Sequence, residues 1–337
     1  MLKATALSST LMLLLLSISV RGQKADIHAT FTGILDNREL GNSHSISQTI
    51  FGGRTDATFG YRLDHKNQLR IGAGYFQEFG ASAKNNPAHL LMYYNYEGRN
   101  SSFFMGSFPR NATISYPTSL FSDSLTYYRP HVHGGYFRAF NRFIIQDIWI
   151  DWVSRQTDED PEHFLFGASG SIHYGGFFLN HHFKMYHMVG PRQRLPGESI
   201  HDNGGIFLST GYRKNGHKPF DTLEFQSGYL LTLNRVRSLE QWDTPGGLVV
   251  KGKVYAFNLG IDVMAFKGNS QKVLLGDPLY RADSYGRIDL SYGRTTSNGA
   301  VTYRYFQAFH LIENRVDLSH IFYLTVNISS TLWEKKD

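Results

Sequence analysis

Arg54, Asp56 and Arg62 are separated by even numbers of residues, as are Arg70 and Glu78 in the next segment, Asp147 and Asp151 further on, and Arg287 and Asp289 near the end. On extended backbone a period of two puts each set on one face. Charges arrayed that way hydrate a water-filled wall, pair with one another, or impose a field on a passing solute. A second group, Arg110, Asp123, Arg129, His131 and His133, falls in or beside one long connection and mixes both signs with two imidazoles. His131 and His133, two apart, would grip one ion if a carboxylate joined them. With 15 His in the chain, chance adjacency is the better account, so neither a metal nor any other cofactor is assigned.

The elements that carry these residues alternate. From 48 to 63, Phe51, Gly53, Thr55, Ala57, Phe59, Tyr61 and Leu63 take one face, while Arg54, Asp56, Thr58, Gly60 and Arg62 take the other. Asp64 to Asn67 reverses the chain, and Leu69, Ile71, Ala73 and Tyr75 resume the apolar face against Arg70, Gly72, Gly74 and Glu78. The pattern predicts strands at 25–34, 48–63, 68–79, 88–97, 102–108, 132–140, 143–153, 163–174, 177–187, 204–213, 222–234, 247–254, 258–267, 285–294, 300–309 and 318–333. Short connections (64–67, 98–101, 141–142, 175–176, 214–221, 255–257, 295–299) alternate with long ones (35–47, 80–87, 109–131, 154–162, 188–203, 235–246, 268–284, 310–317). An all-β transmembrane antiparallel barrel of about 16 strands, with short periplasmic turns and long extracellular loops, is written this way.

Composition and leader agree. Lys3, the apolar run Leu11 to Val20 and the small residues Val20 and Gly22 predict a signal peptide over 1–22, cleaved before Gln23, leaving 23–337 as one barrel domain in a Gram-negative outer membrane. The chain holds no Cys, which excludes a disulfide framework, a thiol nucleophile and a cysteine-held metal. Twenty-five Phe and 20 Tyr supply interfacial girdles, with Phe51, Trp152, Phe164, Phe309 and Phe322 toward the long loops and Tyr61, Tyr96, Tyr174, Phe177, Tyr212, Tyr292 and Tyr303 toward the short turns. The formal net charge of +6 falls to +4 without Lys3 and Arg21 and is scattered, so nucleic acid is not an expected partner.

The last segment, with Phe322, Leu324, Val326, Ile328 and Leu332 on one face, resembles the C-terminal strand presented to the outer-membrane assembly machinery, although Trp333 falls out of phase. Sixteen strands enclose an aqueous lumen, and the longest connection is the third extracellular one. In this the architecture resembles general porins, whose third loop folds inward to narrow the pore. The resemblance implies a non-enzymatic channel for passive diffusion of small hydrophilic solutes, with Arg110, Asp123, Arg129, His131 and His133 at the constriction and room for a homo-oligomer, while strand register itself makes Arg54, Arg62 and Arg70 a basic wall cluster, the mixed lumen charges predict weak selectivity, and outer-membrane lipid surrounds the wall. The phrases Asp36-Asn37-Arg38-Glu39, Phe108-Pro109-Arg110 and Tyr127-Tyr128-Arg129-Pro130 resemble uncharacterised outer-membrane barrels of Bacteroidota, which implies compartment and fold.

Two rival classes stand beside the channel. Barrel phospholipases and lipid A deacylases resemble this architecture but place a Ser and a His on the lipid-facing wall near the outer leaflet. His187 occupies such a position, and the pattern gives it Phe164 and Ile206 as neighbours, with neither a Ser nor a residue to orient the imidazole, so no catalytic residue is assigned. The other rival is a scaffold or partner of a surface complex, with Tyr116, Phe121, Tyr127 and Tyr128 exposed on the long loop. Gly204-Gly205 and Gly246-Gly247 stand at strand starts, where no phosphate loop forms.

Overall fold

The computed structural model describes residues 23–82, 88–193 and 199–335, so the expected leader lies outside the described residues. Sixteen strands run in sequence around a closed antiparallel barrel: β1 (Lys24–Glu39), β2 (Gln48–Arg62), β3 (Asn67–Glu78), β4 (His89–Glu97), β5 (Ser101–Pro109), β6 (His131–Phe140), β7 (Ile144–Ser154), β8 (Glu162–Tyr174), β9 (Phe177–Val189), β10 (His201–His217), β11 (Phe220–Val236), β12 (Gly246–Ala256), β13 (Leu259–Gly268), β14 (Ser284–Thr295), β15 (Val301–Ile312) and β16 (Arg315–Glu334). Each strand pairs with its sequence neighbours, and β16 returns to β1, so no edge is left unpaired. Alternation sets the faces. Ile27, Phe31, Leu69, Ile71, Ile148, Leu248 and Ile261 are exposed on the outside, while their neighbours point inward.

Several boundaries differ from the pattern, and β1 runs on to Glu39, five residues past its expected end. β10 begins at His201 and β11 runs to Val236, each 17 residues long, because backbone pairing continues past the point where apolar alternation stops. The connection at 310–317, expected to be long, is instead a two-residue turn at Glu313 and Asn314, both left-handed (φ 51° and 58°). Two consecutive left-handed residues match the twist of the flanking strands, and Asn tolerates the conformation. The extracellular rim is therefore notched between β15 and β16. Leu311 and Val316, flanking that turn, stay exposed on the outer face.

At the opposite end of β16 the register slips by one residue between Ala25 and Asp26, so that Asp26 faces Thr331 but Ala25 faces Trp333. A bulge of this kind reverses strand phase. It returns Trp333 to the outer face, from which simple alternation excludes it.

The lumen is not an open tube. The 110–130 loop folds inward, as expected, and a second loop, 269–283, joins it. Ser122 N–H donates to Leu275 O at 2.7 Å and Asp277 N–H to Thr118 O at 2.9 Å, so the two loops pair with each other. Leu120, Val273, Leu279 and Tyr280 are buried against Phe207, Leu230, Val249 and Phe266 of the inner wall, and Phe121 and Leu125 against Phe108, Val132, Trp149 and Leu165. Lys184 of β9, fully buried, donates to Leu120 O and Leu274 O at 2.6 Å each and thereby ties both loops to the wall.

Candidate active site

The inward loops divide the lumen into two chambers. The larger, about 1160 Å³, is lined by residues toward the short-turn end of the strands, among them Thr30, Arg213, Glu224, Lys251, Lys253, Asp262 and Arg304. The smaller, about 240 Å³, lies toward the long loops under Leu40, Ser45 and Ile46. Asp123, Arg287 and Ile321 line both.

The smaller chamber holds the arrangement with most chemical content. His310 of β15 and Ser319 of β16 both face inward, and Ser319 Oγ lies 2.9 Å from His310 Nε2. His310 Nδ1 lies 2.8 Å from the Tyr285 hydroxyl of β14, with the two rings stacked. With the proton on Nδ1 and donated to Tyr285, Nε2 is free to accept the Ser319 proton. That is a nucleophile, a base and an orienting group in one line. The pair sits just below the rim notch at Glu313 and Asn314.

Across the β1–β16 pairing, Arg38 stands directly opposite Ser319, which brings their Cβ atoms within about 5 Å on one face. Its guanidinium is fixed by both oxygens of buried Asp36 (2.6–3.0 Å) and by the Tyr127 hydroxyl at 3.0 Å, while Tyr127 donates to Asp36 Oδ2 at 2.5 Å. Two of the short phrases singled out in the sequence, 36–39 and 127–130, thus meet here. Asp277 lines the same chamber. Its carboxyl, pushed up by burial against the opposing pull of Arg287, lies 4.0 Å from that guanidinium, which Asp123 and Asp289 also contact.

The 40–47 loop lies over the notch. Asn42 donates to Asp317 from its backbone (3.1 Å) and its side chain (2.8 Å), Ser43 N–H donates to Glu313 at 3.0 Å, and Arg315 donates to Gly41 O. Every one of these contacts reaches the β15–β16 turn or its flanks, so the loop closes the chamber over that turn.

The residues expected at a pore constriction are distributed differently. Arg110 is buried and donates to Asp151 at 2.5 Å, Arg129 lies 3.5 Å from the same carboxylate, and His131 packs 3.4 Å from Asp56. These fasten the loop and do not line a passage. His133 is a correction: it is exposed and alternates with inward Val132 and Tyr136, so only its backbone N–H reaches Asp151. With His131 buried and His133 outside, the two imidazoles share no ion. Asp123 does bridge the lumen, 3.2 Å from Arg287, which also holds Asp289 at 2.8 Å.

The basic wall cluster forms only in part: Arg62 and Arg70 are diagonal neighbours across β2–β3, and Arg54 lies apart. Arg54 pairs with Asp56 (3.2 Å) and donates to Thr126 O, Arg70 pairs with Asp26 (2.8 Å), and Arg62 is exposed at the short-turn rim. Eight residues along a strand separate Arg54 from Arg62 by about 26 Å. Sharing a face is not proximity. Asp147 is held by Arg138 at 2.7 Å and Tyr136 at 3.0 Å, and Glu78 receives the Tyr128 hydroxyl at 3.4 Å.

Outside the wall, His187 is not without an orienting group. Because β10 begins at 201, its partner across β9–β10 is Asp202, not Ile206, and His187 Nδ1 lies 2.5 Å from Asp202 Oδ1. The sequence pattern missed Ser319–His310 for a related reason. The stretch 310–317 reads as a loop until the two-residue turn is placed, and placing it puts both residues on facing strands.

The closed sixteen-strand wall defines an outer-membrane β-barrel of porin-like fold. Its shape is similar to that of the loop-L8 deletion mutant of OmpT, an outer-membrane protein of Vibrio cholerae (TM-score 0.57, 8% identity, 91% of this chain and 100% of that one), and of OmpF of Salmonella typhi, solved with daunomycin (TM-score 0.56, 11% identity, 91% and 98%). Identities this low speak for the fold alone. The chain belongs to the lipid A 3′-O-deacylase-type family, whose model matches residues 20–335. That match overturns the expectation that the protein is no enzyme. Among curated proteins, none matches the chain in sequence.

Proposed function

We propose that this protein is an outer-membrane lipid hydrolase that cleaves an acyl ester of an outer-leaflet lipid, with Ser319 as nucleophile and His310 as general base. The observation that carries this reading is the Ser319–His310 hydrogen bond of 2.9 Å in a chamber beside the rim notch. Family membership supports ester hydrolysis, and the exposed apolar Leu311 and Val316 set the lipid surface at the height of the notch.

The chemistry follows from the geometry. Ser319 Oγ attacks the ester carbonyl carbon as its proton passes to His310 Nε2, and Tyr285 keeps the imidazole in the required tautomer. Negative charge gathers on the carbonyl oxygen, where the pinned guanidinium of Arg38 stabilises it without having to reorganise. The alcohol then leaves with the proton from His310, and water, deprotonated by the same nitrogen, releases the fatty acid from Ser319. Incubation of the purified protein with lipid A, with mass spectrometry of the released acyl chain, tests the reading. Loss of release in Ser319→Ala with the barrel intact is the expected result, and full activity in that variant rejects it.

A second reading, passive diffusion of hydrophilic solutes, is favoured by one observation: the two chambers share Asp123, Arg287 and Ile321 as a common lining. The Asp123–Arg287 contact of 3.2 Å and Ile321 lie where the two meet. A steady open current from the unmodified protein in a planar bilayer supports this reading, and a silent barrel opposes it.

A further inference from the structure

At the long-loop end of β7 to β11, five residues stand directly opposite one another in successive strands: Trp152, Phe164, His187, Asp202 and Arg235. Directly opposed residues share a face, and Trp152 is exposed on the outward register. The row therefore faces lipid at the height of the outer leaflet. Its two ends differ in character. Trp152 stacks on Phe164 at 5.1 Å, and Phe164 lies 4.9 Å from the His187 ring, which makes an aromatic shelf. At the other end Arg237 donates from Nε to Asp202 at 3.0 Å and leaves the rest of a half-exposed guanidinium open, while Arg235 lies over the exposed ring of Trp242 at 5.5 Å. Arg235 Nε is buried with no hydrogen-bond partner among the described residues.

Asp202 thus meets Arg237 on one oxygen and His187 on the other, and Arg235 has no ion-pair partner among the described residues. A fixed cation facing the membrane is costly unless an anion meets it, and at this height the anions are lipid headgroups. Arginine pairs favour phosphate because the planar fork donates two parallel bonds. We propose that Arg235 and Arg237, framed by Trp242 and the Trp152–Phe164 shelf, bind the phosphate group of an outer-leaflet lipid whose acyl chains lie against the aromatic rings. The site lies on the opposite face of the wall from Ser319 and stands independently of hydrolysis.

Native mass spectrometry of the full chain in detergent, with lipid A carrying its phosphates and the same lipid dephosphorylated, tests this. The protein retains the phosphorylated form preferentially, and each arginine accounts for about fivefold of that preference, so Arg235→Gln/Arg237→Gln abolishes it. Asp202→Asn removes the competing carboxylate and raises retention of the phosphorylated lipid, a gain that misfolding does not produce. Ser319→Ala leaves the preference unchanged, whatever its effect on ester cleavage. Equal retention of the two lipids, an undiminished preference in the double variant, or weaker retention in Asp202→Asn overturns the proposal.

Discussion

Two histidines at the same end of the barrel stand on opposite faces of its wall, and their partners differ accordingly. His310 points inward, with Ser319 on one nitrogen and Tyr285 on the other. His187 points to lipid, with Asp202 on Nδ1 and an aromatic ring beside it. The inner imidazole has a hydroxyl to deprotonate. The outer one has a carboxylate to orient it and, among the described residues, no hydroxyl within hydrogen-bond distance. A histidine on a barrel strand is therefore assigned its chemistry by what the neighbouring strand brings to the same face, and only secondarily by its height in the membrane.

The largest effect that separates the two faces is expected from Ser319→Ala, which lowers acyl release about 10³-fold or more if it removes the nucleophile. His310→Gln follows, at about 10²–10⁴-fold. Both are read by mass spectrometry of lipid A after incubation, with heat-modifiable gel mobility as the check on folding. Should both variants stay active while His187→Ala is dead, the comparison reverses and the chemistry moves to the outer face.

A change of different kind comes from Lys184→Met. It deletes two buried hydrogen bonds that hold the inward loops, a loss of about 2 kcal/mol in loop docking, with the wall itself unaffected. Limited proteolysis within 110–130 and 269–283, together with bilayer current, reads the result. Resistance and silence equal to the unmodified protein would show that apolar packing alone closes the lumen.

Tyr285→Phe sharpens the inner arrangement. It keeps the stacked ring but loses the acceptor for His310, and acyl release falls about tenfold through a single lost hydrogen bond. The smallest effect expected is from Asp202→Asn, under about twofold in acyl release, because residues on opposite faces with no shared partner act independently. A large loss there would couple the two faces and undo the separation.

The wall was legible before the coordinates. Sixteen strands fall where alternation places them, since lipid outside and water or loop inside impose a period of two on each. Long-range register was not legible. Extending β10 by three residues replaced Ile206 with Asp202 beside His187, and closing 313–314 into a tight turn created the Ser319–His310 contact. Apolar periodicity carries no signal where strands rise out of the hydrocarbon layer, because pairing there continues on polar residues. The second inward loop had left a trace: Val273, Leu274, Leu275, Leu279 and Tyr280 are too apolar for a segment exposed to water.

The sequence by itself determined that the chain forms a closed membrane wall and which side of each strand meets lipid. Those follow from local alternation and connection length, which need no knowledge of what lies across the barrel. The tertiary structure alone decided which charges are matched, that two loops divide the lumen, and that a serine, a histidine and a tyrosine from three strands meet beneath a notch in the rim. Contacts of that kind depend on register and on loops crossing the interior, and a two-residue change in one turn is enough to make or abolish them.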